Sequence, residues 1–384
     1  MLTIGIVGLP NAGKSTLFNA LLSRQIASCA PYPFCTIDPN IGVVEVPDRR
    51  LEFLAETIAS QNSKPQILNS KQTPNSNIQF PNKDNWPPIV PAIVEFKDIA
   101  GLVAGAAKGE GLGNKFLSHI RESAAILHVL RGFEDPNVVR EGNIDPQGDF
   151  EIIKTELCLA DLQTLEKQHE PNFSVATKED KLRWEAVLKV RRALEEGIEV
   201  RNTNLTEEEK EIIKPLFLLT AKPALFVLNI DEKDIGLTNK ELGEKFGLVE
   251  DENLIPICAK VEMELSELPF EERKEYLKEL GLVESGLERL IKKGFEILGM
   301  QTFLTAGEKE VRAWTVRKGA KAPEAAGVIH TDFEKGFIKA QVVGFEDFVK
   351  YGGWKGAAEA GKVRLEGKEY VVNENDVIEF KFNV

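Results

Sequence analysis

The chain is short of cysteine, of aromatic rings and of positive charge, and it has no uninterrupted apolar run long enough to span a bilayer. Its four cysteines, Cys29, Cys35, Cys158 and Cys258, are scattered over 384 residues with no CxxC spacing. That excludes a zinc ribbon and a disulfide framework, and a reducing cytoplasm is the expected compartment. The apolar stretch Leu216–Ile230 is broken by Lys222 and Pro223, and the N-terminal MLTIGIVGLP lacks a charged region and a cleavage site, so neither a membrane nor secretion is expected. Lys plus Arg total 48 against 61 Asp plus Glu, a net charge of −13, which argues against a surface that grips nucleic acid everywhere by counterion release. DNA is not an expected partner, and any RNA contact must be local. Residues 300–384 hold thirteen basic and thirteen acidic side chains, so the acidic excess lies entirely before them.

What is present is the composition of an ordinary globular chain, 42% hydrophobic and 28% charged, at a length that favours two or three domains. Short β-branched runs at Thr3–Val7, Ile41–Val46, Ile93–Lys97 and Ala125–Leu130 alternate with helical patterns and resume at Ala224–Leu228 and Leu254–Cys258. This is the pattern of an α/β domain with a doubly wound, mainly parallel sheet. Between the two sets, apolar residues recur at helical spacing over Glu151–Gln168 and Lys178–Arg201, with EPNFSVAT breaking them into an antiparallel hairpin. Two amphipathic helices packed on the body and a projecting coiled-coil arm explain that pattern equally well. Ser60–Pro91, rich in Asn, Gln, Ser and Pro, reads as a long loop. From Gln301 onward, strands at Thr302–Leu304, Val311–Val316, Phe337–Val343, Glu369–Val372 and Val377–Phe382 with two short helical stretches predict a small α+β domain.

The most specific signal is GLPNAGKST, Gly8 to Thr16, which satisfies G-x-x-x-x-G-K-[ST] between a predicted strand and a predicted helix. Backbone N–H groups of such a loop face phosphate oxygens, Lys14 adds a charge near the β- and γ-phosphates, and Ser15 is a ligand for Mg²⁺. DIAGL follows the strand Ile93–Lys97, where Asp98 can hold Mg²⁺ and Gly101 can offer its N–H to a γ-phosphate. Thr36, between these motifs, offers a second hydroxyl to the metal. NIDE, Asn229 to Glu232, ends one strand and Cys258-Ala259-Lys260 ends the next, two positions where such a sheet receives a base. Guanine-specific sites of this plan use Asn-Lys-x-Asp. Here Ile230 replaces the lysine and Glu232 the aspartate that accepts from guanine N1–H and the 2-amino group, which favours ATP.

GLPNAGKST, YPFCTIDPNIGVV, DIAGLVAGAAKGEGLGNKFL, NIDE and AWTVRKGAKAPEAAGVIHTDFEKGFIKAQVV together resemble the YchF or Obg-like ATPase family over nearly the whole chain. The resemblance implies a P-loop NTPase domain over residues 1–146 and 214–299, an inserted helical coiled-coil arm at 147–213 and a C-terminal TGS domain of β-grasp shape at 300–384. It implies ATP as substrate, hydrolysed in preference to GTP, and association with the large subunit or the whole ribosome. Carried over by motif, Asn11, Ala12, Gly13, Lys14, Ser15 and Thr16 hold phosphates, Ser15 and Thr36 hold Mg²⁺, and Asn229 with Ile230 contacts adenine, beside Glu232, Cys258 and Ala259. Asn11 resembles an asparagine that binds K⁺ in potassium-dependent relatives.

Leu102 stands where many related GTPases present a water-orienting glutamine, so intrinsic turnover should be slow, with Lys14 and Gly101 the groups assigned to the transferring phosphate. His128, inside an apolar strand, reads as a core residue. Arg312, Arg317, Lys318 and Lys321 cluster around Trp314, which suits either ribosomal RNA or a solvated charged strand. The leading expectation is an ATP-hydrolysing switch. A GTPase of the same fold and a ribosome-binding scaffold with nucleotide as structural ligand are its rivals.

Overall fold

The computed structural model describes residues 3–27, 40–62, 85–99, 112–134, 144–248 and 253–383. The chain divides into two compact units, Met1–Val44 with Val94–Leu298, and Glu45–Ile93 with Gly299–Val384.

In the first unit, β1 (Thr3–Val7) runs through the phosphate loop into α1 (Lys14–Ala27). In chain order β2 (Ile41–Glu45) follows, then α2 (Arg50–Asn62) and the two-residue β3 (Ile89–Val90), both of the second unit, and then β4 (Ile93–Asp98), α3 (Leu112–Glu122) and β5 (Ala125–Gly132). The insertion supplies α4 (Pro146–Glu166) and α5 (Lys178–Glu195), after which β6 (Ala224–Ile230) and β7 (Leu254–Ile257) complete a sheet of order β2-β4-β1-β5-β6-β7. The pairings β4–β1, β1–β5, β5–β6 and β6–β7 are parallel. Helices cover both faces, so Ile4, Ile6 and Val7 are wholly buried, as a continuous apolar run requires. The order reverses at β1, which puts the crevice of a doubly wound sheet at the end of β1, where Gly8 begins the phosphate loop.

α4 starts at Asp145, whose carboxylate accepts from the Gly148 N–H, with Pro146 in the first turn; α5 starts with a capping box between Thr177 and Asp180. α4 has two buried stripes. Ile153, Leu157 and Ala160 pack on Val7, Ile120 and Ile126 of the body, whereas Cys158 and Leu165 join Val187, Val190 and Leu194 of α5. The root of the insertion is therefore seated on the sheet, and the two helices pair with one another beyond it. Asp161, fully buried, fixes this seat by accepting from the Leu219 N–H at 2.7 Å, the Thr220 N–H at 2.8 Å and the Thr220 hydroxyl at 2.7 Å. Burial raises its pKa and these bonds oppose the rise.

The second unit is a sheet of order β11-β10-β12-β8-β9-β3, where β8 is Met300–Ala306, β9 Val311–Arg317, β10 Phe337–Gly344, β11 Arg364–Glu366 and β12 Asp376–Phe382. An antiparallel β8–β9 hairpin leads to the helix Ala322–Ile329, and β12 returns parallel to β8 in the middle of the sheet, a β-grasp arrangement. Ala322, Ala325 and Ala326 let that helix approach Phe303, Ala340 and Phe380 closely. The run Glu369–Val372, expected as a strand, forms only an isolated bridge from Val371 to Lys321, because Tyr370 and Asn373 are held in a turn by Asp376. The strand is Arg364–Glu366 instead, and the unit has four short helices after residue 320 where two were expected.

Glu45–Ile93, expected with the nucleotide-binding body, groups by contact with this second unit. β3 pairs in parallel with β9, Ile89 opposite Val311 and Val90 opposite Arg312. Arg50, at the start of α2, forms a two-pronged pair with Asp48 and donates to the Glu374 carbonyl at 2.6 Å, the Asn375 side-chain oxygen at 3.0 Å and the Thr302 hydroxyl at 3.0 Å. The reading of Ser60–Pro91 as a loop falls largely on residues 63–84, outside the described residues; Ser60 to Asn62 close α2 and Ile89–Val90 are β3.

Candidate active site

The loop between β1 and α1 has the backbone that phosphate contact demands. Asn11 has φ 63° and Gly13 φ 90°, a conformation in which successive N–H groups turn to one side. A Cβ on Gly8 would lie 2.6 Å from the Val129 carbonyl, so that position tolerates only glycine without movement. Lys14 opens α1, and its buried ammonium donates to the Gly8 carbonyl at 3.0 Å and the Leu9 carbonyl at 2.8 Å, spanning the loop from beneath. Burial lowers its pKa, and the charge of Asp98 works against that shift. Ser15 and Thr16 are exposed at the helix N-terminus, where no acidic residue occupies the first turn.

Asp98 ends β4 directly across from Ile6, so the strand register carries its carboxylate to the level of the phosphate loop. Burial raises its pKa, with Lys14 opposing. Ser15 and Asp98 are hard oxygen donors of the kind Mg²⁺ takes. Thr36, Gly101 and Leu102 lie outside the described residues.

The loop edges a cleft of about 1350 Å³ whose other wall is formed by Asn229–Lys233 and Cys258–Lys260. Asn229 is buried and bonded in both directions: its amide N–H donates to the Ala12 carbonyl at 3.1 Å, and its amide oxygen accepts from the Ala259 N–H at 3.1 Å. The side chain expected on the base thus ties the phosphate loop to the β7 turn, with one N–H and one lone pair left over. Ile230 lines the cleft, yet its side chain joins Leu130, Leu228 and Leu242 in the core. Glu232 is exposed at the start of the single turn Glu232–Asp234. Cys258 is buried, and that burial pushes its thiol pKa up, leaving it an inert small apolar group.

Sequence reasoning missed Phe133, Glu134, Lys233 and Leu280 in the lining. Phe133, just beyond β5, lies with its Cε1 3.7 Å from where a Gly13 Cβ would stand, and Arg131 supports it by donating to its carbonyl at 3.2 Å and resting 4.8 Å over its ring. The Glu134 N–H donates to Asp231 at 3.3 Å, joining this segment to the NIDE turn. For Phe133 and Glu134 the only signal in the sequence was position, at the carboxyl end of a central strand.

His128 is fully buried between Phe150 and Phe226 and is no base for the cleft. In the C-terminal cluster, Arg312 stacks 3.9 Å over Trp314 and Lys321 is paired with Glu369, so part of that charge is already matched.

The chain is similar to known proteins along most of its length. A family model described as "50S ribosome-binding GTPase" matches residues 3–178, and a YchF-GTPase C-terminal model, described as "Protein of unknown function (DUF933)", matches residues 300–383. The chain is 49% identical over 391 residues to the Ribosome-binding ATPase YchF of Bacillus subtilis, covering 100% of both chains. It is 46% identical to the protein of that name from Escherichia coli O157:H7, covering 99% of each. Among solved structures, that of the Schizosaccharomyces pombe YchF GTPase superposes with a TM-score of 0.81 at 36% identity, covering 99% of this chain and 97% of that one.

Proposed function

The chain belongs to the YchF family, and from that footing we propose that it is a ribosome-associated, Mg²⁺-dependent ATPase working as a molecular switch. The observation that carries the chemistry is the phosphate loop itself. Its positive-φ backbone, the helix N-terminus and the buried Lys14 concentrate donors and charge on one spot beside Asp98. Gly13 to Thr16 cradle the phosphates, Lys14 neutralises charge developing on the transferring group, and Ser15 with Thr36 and Asp98 hold Mg²⁺, which supplies further neutralisation when bound. The Gly101 N–H meets the γ-phosphate. Hydrolysis yields ADP and phosphate.

ATP is preferred over GTP because no lysine stands at position 230 and no aspartate at position 232 to reward guanine. Ile230, with its side chain in the core, cannot cover a base by charge. Asn229, Ile230, Glu232, Cys258 and Ala259 form the base side, with Phe133 as a further wall. Asn11 holds K⁺ beside the phosphates, which replaces charge that a glutamine or arginine finger provides elsewhere. The working domains are the nucleotide-binding body at 1–146 and 214–299, the helical arm at 147–213 and the TGS domain at 300–384, with residues 45–93 bracing the last. The TGS basic cluster meets ribosomal RNA, and the cytoplasm is the site of action.

Single-turnover ATP hydrolysis with and without ribosomes tests the reading. Hydrolysis that ribosomes accelerate is the expected result. Binding of ATP without any turnover, in either condition, would leave the nucleotide as a structural ligand of a scaffold.

A further inference from the structure

A pocket of about 490 Å³ opens at the root of the helical insertion, at the opposite end of β6 from Asn229. Its aromatic lining is Phe150 of α4 and Phe226 of β6, perpendicular rings with centroids 5.2 Å apart, both only half-buried. Lys154, Arg201 and Glu199 give the wall one net positive charge. Arg201 is occupied by Glu199 and by the Lys222 carbonyl at 3.0 Å. Lys154 has its ammonium 5.9 Å from the Phe150 centroid and a half-exposed partner in Glu151, an ion pair of small worth.

Behind the two rings lies His128, wholly buried, stacked on Phe226 at 5.2 Å and edge-on to Phe150 at 5.5 Å. Neither of its ring nitrogens has a hydrogen-bond partner among the described residues. Unpaired buried polar atoms are rare in folded proteins and weaken the packing around them. Burial and the nearby Arg201 keep this imidazole neutral, with a pKa of about 3. Nothing in the nucleotide cleft uses these residues.

We propose that this pocket binds a small planar aromatic anion, its ring on Phe150 and Phe226 and its carboxylate or phosphate at Lys154. Half-exposed rings in a concavity gain more from a flat π-surface than from water, and a flexible cation at the rim selects a negative group. The walls come from both ends of the insertion, Phe150 and Lys154 at its entry and Gly197–Asn202 at its exit. Occupancy therefore clamps the root of the arm to β6.

The full chain, saturated with Mg·ADP so that the nucleotide cleft is filled, is titrated with indole-3-acetate and with phenyl phosphate while its histidine ring signals are followed by NMR. The chain has four histidines, which makes His128 assignable. Saturable movement of the His128 signals, with those of His119, His169 and His330 unmoved, is expected. Lys154→Met should weaken binding roughly tenfold. Ile198→Trp, at a 41% exposed position on the pocket wall, should block it while leaving ATP binding intact. Binding by only one probe supports the proposal and identifies the anionic group. Absence of a saturable His128 shift with both probes, or unchanged affinity in Ile198→Trp, overturns it.

Discussion

A Cβ placed on Gly13 would stand 2.1 Å from the amide nitrogen of Asn229, the same nitrogen that holds the Ala12 carbonyl. Two residues more than two hundred positions apart thus leave no room for a methyl group at the turn of the phosphate loop. Gly13 also sits at φ 90°, where any side chain is strained. Gly13→Ala should push Asn229 off both its partners and cost nucleotide affinity of at least about tenfold. Calorimetric titration with ATP measures it, and circular dichroism checks the fold.

Lys14→Ala should abolish hydrolysis without unfolding the protein, since among the described residues the ammonium bonds two loop carbonyls. The pH dependence follows from the shifts. Asp98 is raised by burial, so it gains a proton at a higher pH than an ordinary carboxyl and Mg²⁺-dependent turnover should fall as pH drops through that point. Lys14 is lowered by burial, so its charge is lost sooner on the alkaline side. A rate profile narrowed from both ends is the expected result; Lys14→Ala with full turnover would falsify the assignment of the loop.

The base preference has a cleaner test than restoring the whole guanine pattern. Ile230→Lys would put an unpaired charge into the cluster around Leu228 and Leu242, where Ile230 is 4% exposed, and should destabilise the protein. Glu232 is exposed, so Glu232→Asp changes the acceptor alone. Wild type should bind ATP about tenfold to a hundredfold more tightly than GTP, because guanine donors left unpaired cost roughly 1–3 kcal/mol. Glu232→Asp should narrow that ratio. Equal affinities in the wild type would favour the GTPase alternative.

Potassium should stimulate turnover and sodium should not, given Asn11 in the phosphate loop and Leu102 where a glutamine would orient water. Rates compared at matched ionic strength decide this. Asn11→Ala should remove the stimulation, so that the variant's rates in potassium and sodium become equal.

Arg50→Ala should loosen the second unit. It removes three long-range bonds and strips the charged partner from Asp48, whose side chain is 9% exposed and keeps the backbone N–H of residue 50. The expected loss is about 3 kcal/mol, seen as a lowered melting temperature. Arg50→Lys should recover only part, because an ammonium cannot reproduce the two-pronged pair.

The phosphate loop, the strands of the first sheet and the two insertion helices were legible in the sequence, since each depends on contacts between near neighbours. A glycine, lysine and serine at fixed spacing after a β-branched run determine a phosphate-binding turn by local geometry alone, and helical periodicity shows one stripe of a helix. The tertiary structure decided what was long-range. Asn229 reads as a base contact in sequence, and only the fold adds that it also ties two loops together through Ala12 and Ala259. The second buried stripe of α4, the placement of Glu45–Ile93 beside the C-terminal sheet through Arg50 and β3, and Phe133 at the cleft all depend on partners far away in the chain. Composition and spacing fix which surfaces seek burial, and only the folded chain supplies the atoms that bury them.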